Sequence, residues 1–96
     1  MFEIDLHNMN FDTALKIFIQ KYNNFYKQGG KGEVRVIHGY GAGVLDRNPV
    51  ICTKIREYFS RNRENLRYRL DMNPGVTYVT PLKLLSVPKK KKKGRF

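Results

Sequence analysis

The first 38 residues change hydrophobic period twice, and this constrains the fold of the 96-residue chain more than any other feature. Phe2, Ile4 and Leu6 alternate with Glu3, Asp5 and His7, the period of two expected of a strand whose faces differ in polarity. Asn10 then offers an N-cap with apolar Met9 before it, and Phe11, Ala14, Leu15, Phe18, Ile19 and Tyr22 recur at intervals of three and four. The spacing predicts a helix to about Lys27, stopped by Gly29, Gly30 and Gly32. Val34, Val36 and Ile37, within Glu33 to His38, are β-branched and glycine-bounded, which predicts a second, more buried strand. A strand, helix, strand run of this length joins two parallel strands through a right-handed crossover, so their carboxyl ends point the same way.

The remaining pattern adds two strands and a helix. Asn48-Pro49 is a cap with proline at the first helical position, and Ile51, Ile55, Tyr58 and Phe59 follow at helical spacing. Leu66, Tyr68, Leu70 and Met72 alternate with Arg67, Arg69 and Asp71, predicting a strand with one wet, basic face. Asn73-Pro74-Gly75 is turn chemistry, and Val76 to Val79 supplies a fourth strand antiparallel to the third. The order is β-α-β-α-β-β, an α/β fold with a mixed four-stranded sheet. At 41% hydrophobic residues the chain can bury one modest core, which excludes a TIM barrel or a full dinucleotide-binding sheet. No apolar run approaches the roughly 20 residues of a membrane span, and the N-terminus lacks signal-peptide order, so a cytoplasmic protein without membrane contact is expected. The single Cys52 falls on the apolar side of its helix, where burial is expected; it agrees with a reducing compartment and removes any four-cysteine zinc site.

Charge points to a polyanion. Nineteen Lys and Arg against eight Asp and Glu give +11. Residues 88–96 hold five Lys and one Arg with no acid, a self-repelling block expected to be a disordered, phosphate-seeking tail after a domain at 1–87. Lys54, Arg56, Arg61, Arg63, Arg67 and Arg69 form a second basic zone, diluted only by Glu57 and Glu64. Nucleic acid is the expected partner, RNA or DNA, with the ribosome as one setting; the chain is expected to act as a monomer.

The chemistry gathers where the first two strands end. If those strands are neighbours, Asp5 and His7 come close to His38, at the carboxyl edge where open α/β sheets bind ligands. His38-Gly39-Tyr40-Gly41-Ala42-Gly43 follows. Gly39, Gly41 and Gly43 permit positive φ and let backbone N–H groups approach a phosphate, while Tyr40 offers a ring for stacking on a base. The G-x-G-x-G spacing matches neither dinucleotide nor Walker loops. Taken alone, such glycines also suit a tight strand-to-helix connection, and either histidine could be a hydrogen-bonded structural residue.

At these residues the sequence resembles the small MutS-related (Smr) domain family. Ile4-Asp5-Leu6-His7-Asn8 is similar to its L-D-x-H-G motif and His38-Gly39-Tyr40-Gly41-Ala42-Gly43 to its H-G-x-G-x-G motif; Leu45 and Gly75-Val76-Thr77-Tyr78-Val79 also match. Asn8 stands where the family usually has Gly, and asparagine also tolerates positive φ. Asp46 stands where many members have a basic residue, with Arg47 one place later. The resemblance implies a two-layer α/β sandwich like the C-terminal domain of translation initiation factor three, and endonuclease activity on RNA or DNA. It makes Asp5, His7 and His38 the expected catalytic residues. Gly39, Tyr40, Gly41, Gly43, Arg47, Lys54, Arg56, Arg67 and Arg69 would hold the nucleic acid. In a metal-free cleavage the two imidazoles would act as base and acid near their ordinary pKa of about 6.5, with Asp5 orienting one of them. In a metal-assisted alternative, Asp5 and both histidines would hold a divalent ion, Mg²⁺ or Mn²⁺. Three such ligands are few for Mg²⁺, which favours the first route. The competing class is a binding module without catalysis.

Overall fold

The computed structural model describes residues 1–39 and 50–87. Its elements are β1 (Glu3–Asp5), α1 (Phe11–Lys27), β2 (Val34–Ile37), α2 (Val50–Arg61), β3 (Leu66–Leu70) and β4 (Val76–Pro81). They form one mixed sheet in the order β1-β2-β4-β3. β1 runs parallel to β2, and β4 is antiparallel to both of its neighbours, so β1, β2 and β3 point one way. The carboxyl ends of these three strands and the β3–β4 turn therefore share one edge of the sheet.

Local chemistry sets the boundaries. The Asn10 side chain accepts from Thr13 N–H at 2.9 Å and starts α1. Gly29, at φ +82°, ends it in a conformation that costs glycine little. Ala14, Phe18, Ile19 and Tyr22 line the buried face of α1, as their spacing predicts. Phe18 meets Phe59 of α2 at 5.3 Å between ring centroids. Both rings belong to one cluster with Ile4, Val34, Val36, Leu66 and Val79, so the two helices cover a single face of the sheet. Burying a side chain the size of Phe18 stabilises the fold by about 3 kcal/mol.

Tyr22 and Asn23 carry the chain past β4. The Tyr22 hydroxyl lies 2.8 Å from Asn65 O and 2.7 Å from Lys83 O, and burial pushes its pKa up to about 12. The Asn23 amide exchanges two 2.9 Å hydrogen bonds with the backbone of Leu85. Leu85 thereby joins the core.

The third strand departs from its sequence pattern. Alternation predicts an apolar face through Met72, yet only Leu66 is fully buried; Leu70 is 53% exposed and Met72 99%. β3 is an edge strand whose apolar side α2 covers only as far as Tyr68, which meets Phe59 at 5.8 Å between ring centroids, and Asp71 turns the chain by accepting from Asn73 N–H at 3.2 Å. Among the described residues, no helix is long and apolar enough to cross a membrane.

Candidate nucleic-acid site at the carboxyl edge

Asp5 is the last residue of β1, and its carboxylate ends the strand by folding the next residues over itself. Asp5 Oδ1 accepts from His7 N–H at 3.1 Å and also from His7 Nδ1–H. The two hydrogen bonds from His7 hold the Asp5 pKa below its usual 3.8. Asn8 completes the turn at φ +66°, the left-handed conformation that asparagine tolerates better than most residues. Because Nδ1 points at the carboxylate, His7 presents Nε2 outward, and both side chains are 53% exposed.

β2 brings the second motif alongside. Asp5 is paired with Ile37, and Leu6 N–H donates to Ile37 O at 2.7 Å. His38 and Gly39 follow, and both of their N–H groups donate to Gly75 O at 3.0 Å, which locks the β3–β4 turn to the end of β2. Gly39 sits at φ +81°, and a Cβ there would lie 3.6 Å from His7 Cβ. The two motifs are thus packed back to back.

The rings of the two histidines face different surroundings, which corrects the expected convergence. Strand alternation turns His38 to the helix-covered side with Val34 and Val36, where it is fully buried. Its Nδ1 lies 2.7 Å from Gly39 O, which can only accept, so Nδ1 carries the proton. Neutral Nε2 then accepts from the Thr77 hydroxyl at 2.9 Å. Burial pushes the His38 pKa below its ordinary 6.5, with the Arg56 charge adding to the effect. His38 therefore holds the loop base, with no ring nitrogen left for a phosphodiester. Nor do Asp5, His7 and His38 suit a metal: among the described residues, no three His, Cys, Asp or Glu side chains gather as ligands.

The basic residues also sort differently from expectation. Arg69 lies 4.3 Å over the Tyr78 ring, with two hydrogen bonds of 2.5 and 2.8 Å to Glu33. Arg56 donates to Pro74 O at 2.8 Å and so braces the β3–β4 turn. Lys54 sits 5.6 Å over the Phe11 ring. Arg67 is exposed on β3 and, among the described residues, has no carboxylate within ion-pair distance. Gly39 is among the described residues, whereas Tyr40, Gly41, Gly43, Arg47 and the lysine-rich segment lie outside them.

Two residues of the sheet escape motif reading. Thr77 satisfies His38, and the sequence signal for it is a hydroxyl two residues from Val79, on the same buried face of β4. Arg35 pairs with Glu3 at 3.0 Å on the uncovered face, a contact that requires the β1–β2 register.

The arrangement of these motifs agrees with a match to the family profile of the Smr domain over residues 4–80. The chain belongs to the Smr domain family. Two solved structures are similar to this Smr domain. The B3BP Smr domain is 25% identical, covers 83% of this chain and 77% of that one, and has a TM-score of 0.61. The SMR domain of NEDD4-binding protein 2 is 27% identical over 93% of this chain and 91% of that one, with a TM-score of 0.59. Comparison with curated proteins finds no match. Some Smr domains are nucleases and others are binding modules.

Proposed function

We propose that this Smr domain binds nucleic acid at the carboxyl edge of its sheet and cleaves a phosphodiester there, with His7 as the reacting base. The observation that supports this most is the exposed Asp5–His7 pair packed against Gly39. Asp5 fixes the imidazole through Nδ1–H, which leaves Nε2 as the proton acceptor. Nε2 takes the proton of the attacking hydroxyl, a ribose 2′-OH or water. That oxygen bonds to phosphorus, the bond from phosphorus to the leaving oxygen breaks, and the leaving oxygen is protonated by the imidazolium or by solvent. His38 is a positioning residue in this scheme: through Gly39 it sets the loop against which His7 rests. Lys21, whose charge acts on Asp5, the exposed cations Lys54 and Arg67, and the residue 88–96 segment would draw the polyanion in.

The second reading is a module that binds without cutting. Burial of His38 favours it, because no second imidazole is presented to protonate the leaving group. Labelled single-stranded RNA and branched duplex DNA, incubated with wild type, His7→Ala and Asp5→Ala in the presence and absence of EDTA, separate the two. Cleavage that is lost in His7→Ala while binding persists supports the nuclease. Binding without cleavage by the wild type under every condition would establish the module.

A further inference from the structure

A groove of about 400 Å³ runs along the outer edge of β3, lined by Arg63, Leu66, Arg67, Tyr68, Arg69 and Leu70. All but Arg63 are β3 itself, taken in sequence from both of its faces. A space lined by every residue of an edge strand, on both faces, is the space that a neighbouring strand would occupy.

Register shows which backbone groups look into it. Asn65 O accepts from Leu82 N–H at 2.9 Å, so the alternate pairs Arg67–Thr80 and Arg69–Tyr78 exchange the ladder hydrogen bonds with β4. Pro81, which has no N–H, stands opposite Leu66 at a position where none is needed. Tyr68 and Leu70 therefore aim their N–H and C=O groups outward, two donors and two acceptors beside an exposed leucine.

We propose that this edge accepts an acidic, extended segment of a partner protein as a fifth, antiparallel strand. Electrostatics select this occupant. Arg63 and Arg67 have no carboxylate partner among the described residues, whereas Glu33 already holds Arg69. A second copy pairing antiparallel about Tyr68 would set Arg67 of one chain opposite Arg69 of the other, an arginine whose charge Glu33 already balances, so Arg67 would gain no carboxylate of its own. A polynucleotide phosphate can accept from the two outward N–H groups but offers no donor to the two carbonyls. A peptide satisfies both, places acids opposite Arg67 and Arg69, and places β-branched residues opposite Tyr68 and Leu70. This inference is independent of whether His7 cuts.

The test is titration of the ¹⁵N-labelled full chain with acetyl-Glu-Val-Glu-Val-Glu-amide and two N-methylated forms. In the proposed register the valine N–H groups face β3 and the glutamate N–H groups face solvent. The parent peptide and the glutamate-N-methylated form are expected to shift the Tyr68 and Leu70 amides with similar affinity. The valine-N-methylated form is expected to bind at least tenfold more weakly, and Arg67→Glu to weaken the parent severalfold. Equal binding of the valine-methylated form would reduce the contact to charge attraction and overturn the proposal. Stronger shifts of the same two amides by oligouridylate would assign the edge to nucleic acid and overturn it equally.

Discussion

Replacing His38 by alanine distinguishes a buried brace from a reacting imidazole. The ring is fully buried and makes two hydrogen bonds, 2.7 Å to Gly39 O and 2.9 Å from Thr77 Oγ1. Each contributes about 1 kcal/mol net, and leaving the buried Thr77 hydroxyl unpaired adds a penalty of about 1 kcal/mol. Before any loss of ring packing, these terms make His38→Ala cost about 3 kcal/mol, a large share of the roughly 5–14 kcal/mol that a domain of this size has. At an m-value of about 1.5 kcal/mol/M, the urea midpoint falls by about 2 M. Thr77→Val keeps the shape but strands Nε2 at a cost of about 1–2 kcal/mol, and the double variant is less destabilised than the sum because both remove one bond. The pH dependence has a definite sign. Burial lowers the folded-state pKa of His38 below 6.5, so the unfolded state binds more protons below that pH. The stability advantage of wild type over His38→Ala is complete above about 6.5 and shrinks as pH falls from there toward the folded-state value. Chemical denaturation from pH 5 to 8 measures it. A midpoint shift under about 0.3 M combined with abolished cleavage would put His38 in contact with substrate and refute the buried-brace argument.

Three further outcomes follow from the same edge. His7→Ala is expected to leave the urea midpoint within about 0.5 kcal/mol of wild type, since the ring is exposed, while cleavage falls by about 10²–10⁴, measured on a labelled oligonucleotide under single-turnover conditions. Gly39→Ala forces an alanine to φ +81° and brings its Cβ to 3.6 Å from His7 Cβ; calorimetry should show a loss of about 1–2 kcal/mol, and His7 chemical shifts should move. Deleting residues 88–96 is expected to leave the midpoint unchanged and to weaken nucleic-acid binding severalfold, with the slope of log K against log salt shallower by about 0.7–0.9 for each phosphate that the tail no longer neutralises.

How far the sequence could be read depended on whether a residue's role was local. Asn10 needed only Thr13, and the α1 stripe only its own spacing, so both elements were legible. The parallel β1–β2 pair followed from crossover length, which brought Asp5, His7 and Gly39 to one edge. The orientation of His38 was not legible from its motif. Alternation through Val34 and Val36 turned it inward, and its second hydrogen bond came from Thr77 on a strand whose place between β2 and β3 no local pattern reveals. Likewise, Leu70 and Met72 carried the right period but lay at the far end of an edge strand, beyond the cover of α2.

The charges show the same dependence on long-range placement and bear on how a polyanion would approach. By composition, Arg35 and Arg69 look as available as any other cation, but the register delivers Glu3 to one and Glu33 to the other. The uncovered face of the sheet is thereby largely neutralised, and Tyr78 lies beneath the Arg69 guanidinium instead of open to a base. Among the described residues, Lys54 of α2 and Arg63 and Arg67 beside the β3 edge have no carboxylate partner, and neither has Lys21 of α1, whose charge contributes to lowering the Asp5 pKa. A nucleic acid following that potential would run beside the β3–β4 turn, which Arg56 braces through Pro74, and along the carboxyl edge toward Asp5 and His7. The exposed dyad would then meet a backbone already oriented by cations, so substrate selection would rest on the basic border of the site while proton transfer would rest on the Asp5–His7 pair.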